Sequence, residues 1–72
     1  MIIAVDFDGT LAVHKYPEIG DEVDGAIQSC IKLQESFKLI LYTMRSGETL
    51  DEAVAWCAER RLKFWAVNEN LN

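Results

Sequence analysis

Three short apolar runs along the chain alternate with two stretches in which apolar residues recur at helical spacing. The runs cover residues 2–6, 38–42 and 63–67. Short apolar runs bounded by turn residues are typical of strands buried in a parallel sheet. The helical stretches cover about 22–36 and 50–61. This order predicts an α/β fold, a βαβαβ unit with right-handed crossovers.

Local signals place the ends of the predicted helices. Asp21 or Asp24 is expected to cap the first helix. Thr49 and Glu52 have the spacing of a capping box, so Thr49 is expected to be the N-cap of the second helix. The segment 7–20 contains glycines and a proline and is predicted to be a loop.

Composition limits the class of protein. The 72 residues suffice for one small domain, covering 1–72, and the 50% apolar content predicts a globular chain. A net charge of −5 argues against nucleic acid as a partner. No apolar run is long enough to cross a membrane and no secretory signal is found, so the cytoplasm is expected. Cys30 and Cys57 are predicted to be buried, reduced thiols.

Two carboxylates lie at the carboxyl end of the first strand: Asp6 ends the strand, and Asp8 follows in the turn. Ligands of open α/β sheets bind at this edge. Asp6, held by the strand, suits a nucleophile or metal ligand, and Asp8, in the turn, suits an acid and base. Paired acids favour a hard cation such as Mg²⁺, and the amides of Phe7, Asp8 and Gly9 are candidates for binding an anion. The alternative is a strand-ending turn capped by Asp6.

Further candidates follow the second strand and the first turn. Thr43 ends its strand at the same edge as Asp6, where its hydroxyl could hold a phosphoryl oxygen or satisfy local backbone. Arg45 could bind a substrate phosphate or carboxylate, or be a solvated loop residue. The segment 14–16, His-Lys-Tyr, could form a lid or substrate contact, or an ordinary polar loop.

The sequence from Asp6 to Leu11 resembles the first motif, DxDGT(L/I), of the haloacid dehalogenase (HAD) superfamily of phosphatases. Thr43 resembles the second motif, and the wider pattern is similar to small uncapped HAD-like hydrolases of bacteria and phages. The resemblance implies a HAD-like Rossmannoid three-layer sandwich, of which this chain would be a part. It also implies a small flap between the first strand and the first helix.

The same resemblance implies a Mg²⁺-dependent phosphohydrolase acting on a small phosphorylated substrate. Asp6 would form an aspartyl-phosphate and Asp8 would be the general acid and base. Both acids would bind the metal, Asp8 through its main-chain carbonyl. The phosphate would be bound by Gly9, Thr10, Thr43 and Arg45. The sequence does not identify the substrate.

The Lys of the family's third motif and the acids of its fourth have no counterpart here. Lys63 and Glu69 are not in the right context. The chain is therefore expected to be the N-terminal half of a longer protein, with an exposed first-strand edge that favours pairing with another chain, such as a homodimer. The rival interpretation is a non-catalytic binding module that self-associates through this strand. A receiver-like phosphoacceptor is a second rival, disfavoured by Gly-Thr-Leu after the acids.

Overall fold

Parallel strands form the central sheet of the computed structural model, which describes residues 1–68. The elements in chain order are β1 (Ile2–Asp6), β2 (Ala12–Lys15), β3 (Glu18–Glu22), α1 (Ala26–Gln34), β4 (Lys38–Tyr42), α2 (Gly47–Glu59) and β5 (Ala66–Val67). The sheet order is β1-β4-β5, with both pairings parallel. This confirms the predicted α/β fold and its βαβαβ connectivity, with an added β2–β3 hairpin.

The strands predicted at 2–6 and 38–42 are confirmed to the residue, in a register that places Asp6 beside Tyr42. The third strand is shorter than predicted, because ladder pairing starts late. The Lys63 amide donates to the Gln34 side chain at 2.8 Å instead of to a strand, and the Trp65 amide is the first to reach β4, through the Leu39 carbonyl at 2.7 Å.

Both helices cover the same face of the sheet. Each crossover moves one strand further in the same direction, so right-handed connections put α1 and α2 side by side. Their C-terminal ends meet where the Gln34 amide donates to the Arg61 carbonyl at 3.0 Å. The described residues therefore contain two layers of the expected three. The buried core between them consists of Val5, Phe7, Leu11, Ala12, Ile27, Cys30, Leu39, Leu41, Ala53, Cys57 and Leu62.

The predicted helix starts are wrong. Helix α1 begins at Ala26 behind Gly25 (φ 78°), with no side-chain cap, because Asp21 and Glu22 belong to β3. Helix α2 begins earlier than expected, with Ser46 at its N-cap. Thr49 lies in the first turn, and its hydroxyl donates to the Ser46 carbonyl at 2.8 Å instead of accepting a capping bond.

An antiparallel hairpin, β2–β3, replaces most of the loop predicted at 7–20. The loop prediction is wrong here because Tyr16 and Pro17 turn the chain between two segments that can both extend. Gly20 permits the close approach of the two strands, since a Cβ there would collide with the Val13 carbonyl oxygen. The hairpin occupies the position for which the family resemblance implied a flap.

Both cysteines are buried and unpaired, as predicted. Burial raises the pKa of the Cys57 thiol to about 12 and also raises the pKa of Cys30. These thiols are therefore protonated packing groups and not nucleophiles. Among the described residues, no helix combines the length and apolar character that a membrane span requires.

Candidate functional site

An open cleft of about 350 Å³ lies at the carboxyl ends of β1 and β4. It is lined by Asp6, Asp8, His14, Tyr16, Thr43, Met44 and Arg45. Four of these residues are among the site residues predicted from the sequence. They come together because parallel strands end at the same edge, and Thr43 directly follows the residue that pairs with Asp6. Other hollows at the opposite end of the sheet contain no paired acids.

Asp6 presents an exposed carboxylate to this cleft. Its backbone is fixed by pairing with β4, and the Thr10 hydroxyl donates to Asp6 Oδ2 at a long 3.4 Å. The long distance leaves the carboxylate oxygens available to other partners. An accessible carboxylate on a rigid strand end is the arrangement that a nucleophile or a metal ligand needs.

The turn after β1 is closed by its own backbone. The Gly9 amide donates to the Ala12 carbonyl at 2.7 Å, and the Thr10 amide donates to the Phe7 carbonyl at 3.2 Å. Gly9 adopts φ +86°, a conformation that only glycine reaches without strain. The expectation that the amide of Gly9 binds phosphate is therefore wrong, because its hydrogen is already used. Thr10 acts through its hydroxyl, on Asp6, and neither residue lines the cleft.

Arg45 forms a bidentate ion pair with Asp8. Arg45 Nη2 lies 2.8 Å from Asp8 Oδ1 and Nε lies 2.9 Å from Oδ2. Such fork-to-carboxylate pairs are stronger and more directional than single hydrogen bonds. The Arg45 hydrogen bonds hold the pKa of Asp8 below its ordinary value, although burial partly opposes this effect. Asp8 is therefore an ionised, fixed carboxylate.

The rest of the Arg45 guanidinium binds main-chain carbonyls. Nη2 also donates to Glu18 at 2.7 Å, and Nη1 donates to Pro17 at 3.1 Å and to Thr49 at 3.4 Å. All five N–H donors of the group are thus satisfied within the protein. Arg45 is only 2% exposed, so it is neither the solvated loop residue nor the free phosphate ligand considered from the sequence. Its hydrogen bonds link Asp8, the β2–β3 hairpin and the start of α2.

Aromatic rings enclose the same guanidinium. Arg45 Cζ lies 5.2 Å from the ring centroid of Phe7 and 5.2 Å from that of Tyr16. A delocalised cation is attracted to the faces of such rings, more strongly where water is excluded. Phe7 is completely buried, whereas 55% of Tyr16 is exposed. Tyr16 therefore contacts the buried ion pair and still presents surface to the cleft.

Thr43 satisfies local backbone and faces the cleft at the same time. Its hydroxyl oxygen accepts the Arg45 amide at 3.1 Å, and its own amide donates to Asn68 Oδ1 at 2.8 Å. The hydroxyl hydrogen can still be donated to a ligand oxygen. Asn68 thus braces the ends of β4 and β5, a role that the sequence did not indicate. Glu69, weighed from the sequence against the acids of the family's fourth motif, lies outside the described residues.

The donor set suits a largely hydrated Mg²⁺. Mg²⁺ commonly binds one or two protein oxygens and retains several waters. Asp6 supplies an exposed carboxylate, and the backbone bonds of the following turn do not use the Asp8 carbonyl oxygen. The carboxylate of Asp8 is less suited, because Arg45 holds both its oxygens. Within residues 1–68 no group of three or more metal-ligating side chains is found.

The hairpin contributes two of the cleft residues, His14 and Tyr16, whereas Lys15 between them points elsewhere and is not part of the lining. Alternation along β2 explains this difference for His14 and Lys15. Met44 is fully exposed at the rim and was not predicted. The sequence did offer one indication, because Met44 lies between Thr43 and Arg45, and residues that directly follow a strand ending at the site surround the site.

Comparison with known proteins gives a structural relative. The chain is similar to the solved structure of a conserved protein from Bacteroides thetaiotaomicron, with 52% sequence identity and a TM-score of 0.87. The match covers 96% of this chain and 58% of that chain, so this chain spans little more than half the length of its relative. The description of that protein names no activity. No family model and no curated protein matches the chain.

Proposed function

We propose that this chain carries the nucleophile side of a Mg²⁺-dependent phosphohydrolase of the HAD type. The observation that carries the proposal is the exposed Asp6 carboxylate, which shares one cleft with Thr43 at the carboxyl edge of the sheet. The sequence from Asp6 to Leu11 resembles the first HAD motif, and this resemblance supports the same chemistry. The substrate class is a small phosphate ester, and the expected compartment remains the cytoplasm.

The proposed reaction begins at Asp6. A carboxylate oxygen attacks phosphorus, the bond to the leaving oxygen breaks, and an aspartyl-phosphate forms. Water then attacks this phosphorus, Asp8 accepts the proton, and phosphate leaves with Asp6 restored. The ionised Asp8 of this structure suits the second step, because its remaining lone pairs can accept from water. The Thr43 hydroxyl would donate to an oxygen of the transferring group.

The charges that line the cleft favour the binding of a metal cation beside the phosphate. Asp6 and Asp8 bring two negative charges to the cleft, whereas Arg45 brings one positive charge that Asp8 already pairs. A phosphate dianion would meet net repulsion here. Mg²⁺ bound by the Asp6 carboxylate and the Asp8 carbonyl would supply positive charge to the phosphoryl oxygens.

The decisive experiment is hydrolysis of 4-nitrophenyl phosphate by the chain and by Asp6→Asn, each with Mg²⁺ and with EDTA. We expect Mg²⁺-dependent turnover that Asp6→Asn abolishes, because an amide is a poor nucleophile. Glu35→Gln makes the same charge change at the other end of the sheet and should retain the wild-type rate. A folded Asp6→Asn variant with undiminished activity would exclude Asp6 as the nucleophile.

A non-catalytic module is the second candidate, favoured by one observation. The outer edge of β1 has no partner strand within residues 1–68. Ile2 on that strand is 42% exposed, and exposed apolar edges favour pairing with another chain. This candidate predicts self-association through β1, as a homodimer, with no turnover of phosphate esters. Nucleic acid and membranes are not among the proposed partners.

A further inference from the structure

The side chain of Asn68 completes the ladder between β4 and β5 at the edge where the cleft lies. The Asn68 amide donates to the Leu41 carbonyl at 2.8 Å, in keeping with the parallel register that pairs Leu41 with Val67. In such a ladder the Thr43 amide would next donate to the main-chain carbonyl of Asn68. Asn68 instead has φ 52°, in the left-handed region, and its side-chain Oδ1 accepts the Thr43 amide at 2.8 Å. The side-chain oxygen therefore takes the place of the main-chain acceptor.

Asparagine meets both requirements of this position. It adopts the left-handed conformation more readily than most residues that have a side chain, and it carries an acceptor oxygen close to its own backbone. Glycine would permit the same turn without supplying the acceptor. Asn68 is exposed, so its side chain fills no space in the core. The hydrogen bond to Thr43 is therefore the contribution of this side chain that bears on the cleft.

Thr43 is held by three separate interactions. It directly follows β4, its amide donates to Asn68, and its hydroxyl oxygen accepts the Arg45 amide at 3.1 Å. Thr43 lines the cleft, whereas Asn68 does not. Loss of the Asn68 acceptor would remove the bond that fixes the Thr43 amide, so Thr43 would gain freedom to rotate at the strand end. The hydroxyl would move with it.

We propose, resting on the phosphohydrolase function above, that Asn68 is a positioning residue for the phosphoryl group. Asn68 acts through Thr43 and does not itself touch the substrate. By holding the Thr43 amide, it fixes the Thr43 hydroxyl beside Asp6 in the geometry from which the hydroxyl donates to a phosphoryl oxygen. A donor that is fixed in advance stabilises the transferring group without reorganisation during the reaction.

A double-mutant cycle on the hydrolysis of 4-nitrophenyl phosphate with Mg²⁺ tests this coupling. Asn68→Gly keeps the turn and removes the acceptor, and it should lower kcat/KM about 10- to 100-fold, the effect of a misplaced group. Thr43→Ala should lower kcat/KM about 10²–10³-fold. Because Asn68 acts only through Thr43, the double variant should be no slower than Thr43→Ala alone. Losses that multiply in the double variant, or wild-type kcat/KM in Asn68→Gly, would overturn the inference.

Gln34→Ala is the matched control. Gln34 Oε1 accepts the Lys63 amide at 2.8 Å at the opposite end of the sheet, so this variant also removes a side-chain acceptor from a backbone amide. It should retain the wild-type kcat/KM. An equal loss of kcat/KM in Gln34→Ala and Asn68→Gly would indicate a general loss of structure and would overturn the inference.

Binding of inorganic phosphate with Mg²⁺, measured by isothermal titration calorimetry, separates this inference from the proposed function. Asn68→Gly and Thr43→Ala should each raise Kd about 10-fold, and the double variant should raise it no further than Thr43→Ala. This pattern without turnover of the ester by any of the proteins would overturn the phosphohydrolase proposal and retain the role of Asn68 in phosphate binding. Without turnover, an unchanged Kd in Asn68→Gly would overturn that role, and a wild-type chain that does not bind phosphate would overturn both proposals.

Discussion

At the scale of single residues, the site and the fold depend on the same side chain. Arg45 neutralises Asp8, holds the carbonyls of Pro17 and Glu18 in the hairpin, and reaches Thr49 in α2. A buried guanidinium is costly to desolvate unless every donor is paired, and here every donor is. The ion pair therefore specifies one arrangement of turn, hairpin and helix.

Replacement of Arg45 by Lys should destabilise the chain strongly. Lysine keeps the charge but cannot form the two parallel bonds to Asp8 or reach three carbonyls at once. We expect the free energy of unfolding to fall by about 3 kcal/mol, measured by urea denaturation followed through tryptophan fluorescence. Arg61→Lys, at an exposed position, is the control and should be near neutral. Equal stability of the two variants would contradict the structural role of Arg45.

The same pair makes stability depend on pH. Because Arg45 lowers the pKa of Asp8 in the folded chain, the unfolded state binds a proton more readily. The stabilisation is complete above the ordinary value of 3.8 and is lost as the pH falls through the lower folded value. Urea titrations from neutral pH to about pH 2 should reveal this loss, and Asp8→Asn should remove that component. A pH profile that is the same in Asp8→Asn would show that the pair contributes no such linkage.

At the scale of elements, the hairpin is attached at both ends. Arg45 holds its tip, and near the end of β3 the Glu22 carboxylate accepts from Arg60 Nε at 2.8 Å. Arg60 also stacks over Trp56, 3.7 Å from the ring centroid, and Trp56 packs edge-on against Phe7. The hairpin is therefore held by residues on both sides of α2, Arg45 before it and Arg60 after it, which fixes the position of the cleft residues that the hairpin carries.

Substitution of Gly20 by Ala should open this hairpin. The new methyl group would collide with the Val13 carbonyl, so the strands must separate or the backbone must shift. Overpacking of this kind costs about 1–3 kcal/mol. We expect faster hydrogen exchange at the amides of β2 and β3, with slower-exchanging amides in β4 unaffected. Ile19→Val, in the same strand, should leave exchange unchanged; if Gly20→Ala did so as well, the close approach would be refuted.

Sequence-based prediction was most successful where the neighbours of a residue along the chain determine its secondary structure. The apolar runs of β1 and β4 defined their strands, and their ends brought Asp6 and Thr43 together. It failed at the start of α2, because Ser46 and Thr49 are both good N-caps and only packing decides between them. The partners of Arg45 were also unpredictable, since three of its acceptors are main-chain carbonyls that carry no sequence signal.

At the scale of the whole molecule, the two edges of the sheet differ in their pairing, and its two faces differ in whether helices cover them. β4 is central and buried, whereas β1 lies at an edge and the helices cover one face only. The Met1 carbonyl accepts the Lys38 amide, so by alternation the amides of Ile3 and Val5 point toward β4 and that of Ala4 points outward. This outward row is the surface through which a second copy could pair.

Ala4→Pro tests self-association through this edge. Proline removes an outward N–H without removing a donor to β4, so it should abolish a β1-mediated dimer while the chain stays folded. Ala4→Val keeps the donor and should leave any dimer intact. Sedimentation equilibrium of the wild-type, Ala4→Pro and Ala4→Val proteins measures the fraction of dimer, and circular dichroism verifies that each protein is folded. A dimer that survives in folded Ala4→Pro would place the interface elsewhere.

The parallel pairing of β1 with β4 also has a consequence for the order in which the structure forms during synthesis. β2 and β3 are neighbours in the chain and can pair within microseconds of leaving the ribosome. β1 must wait for Lys38 to Tyr42, and Asp8 waits longer still, for Arg45. A nascent chain ending before Arg45 carries Asp8 without its counterion and a hairpin with a loose tip. Translation of Arg45 therefore supplies the counterion of Asp8 and the anchor of the hairpin tip together.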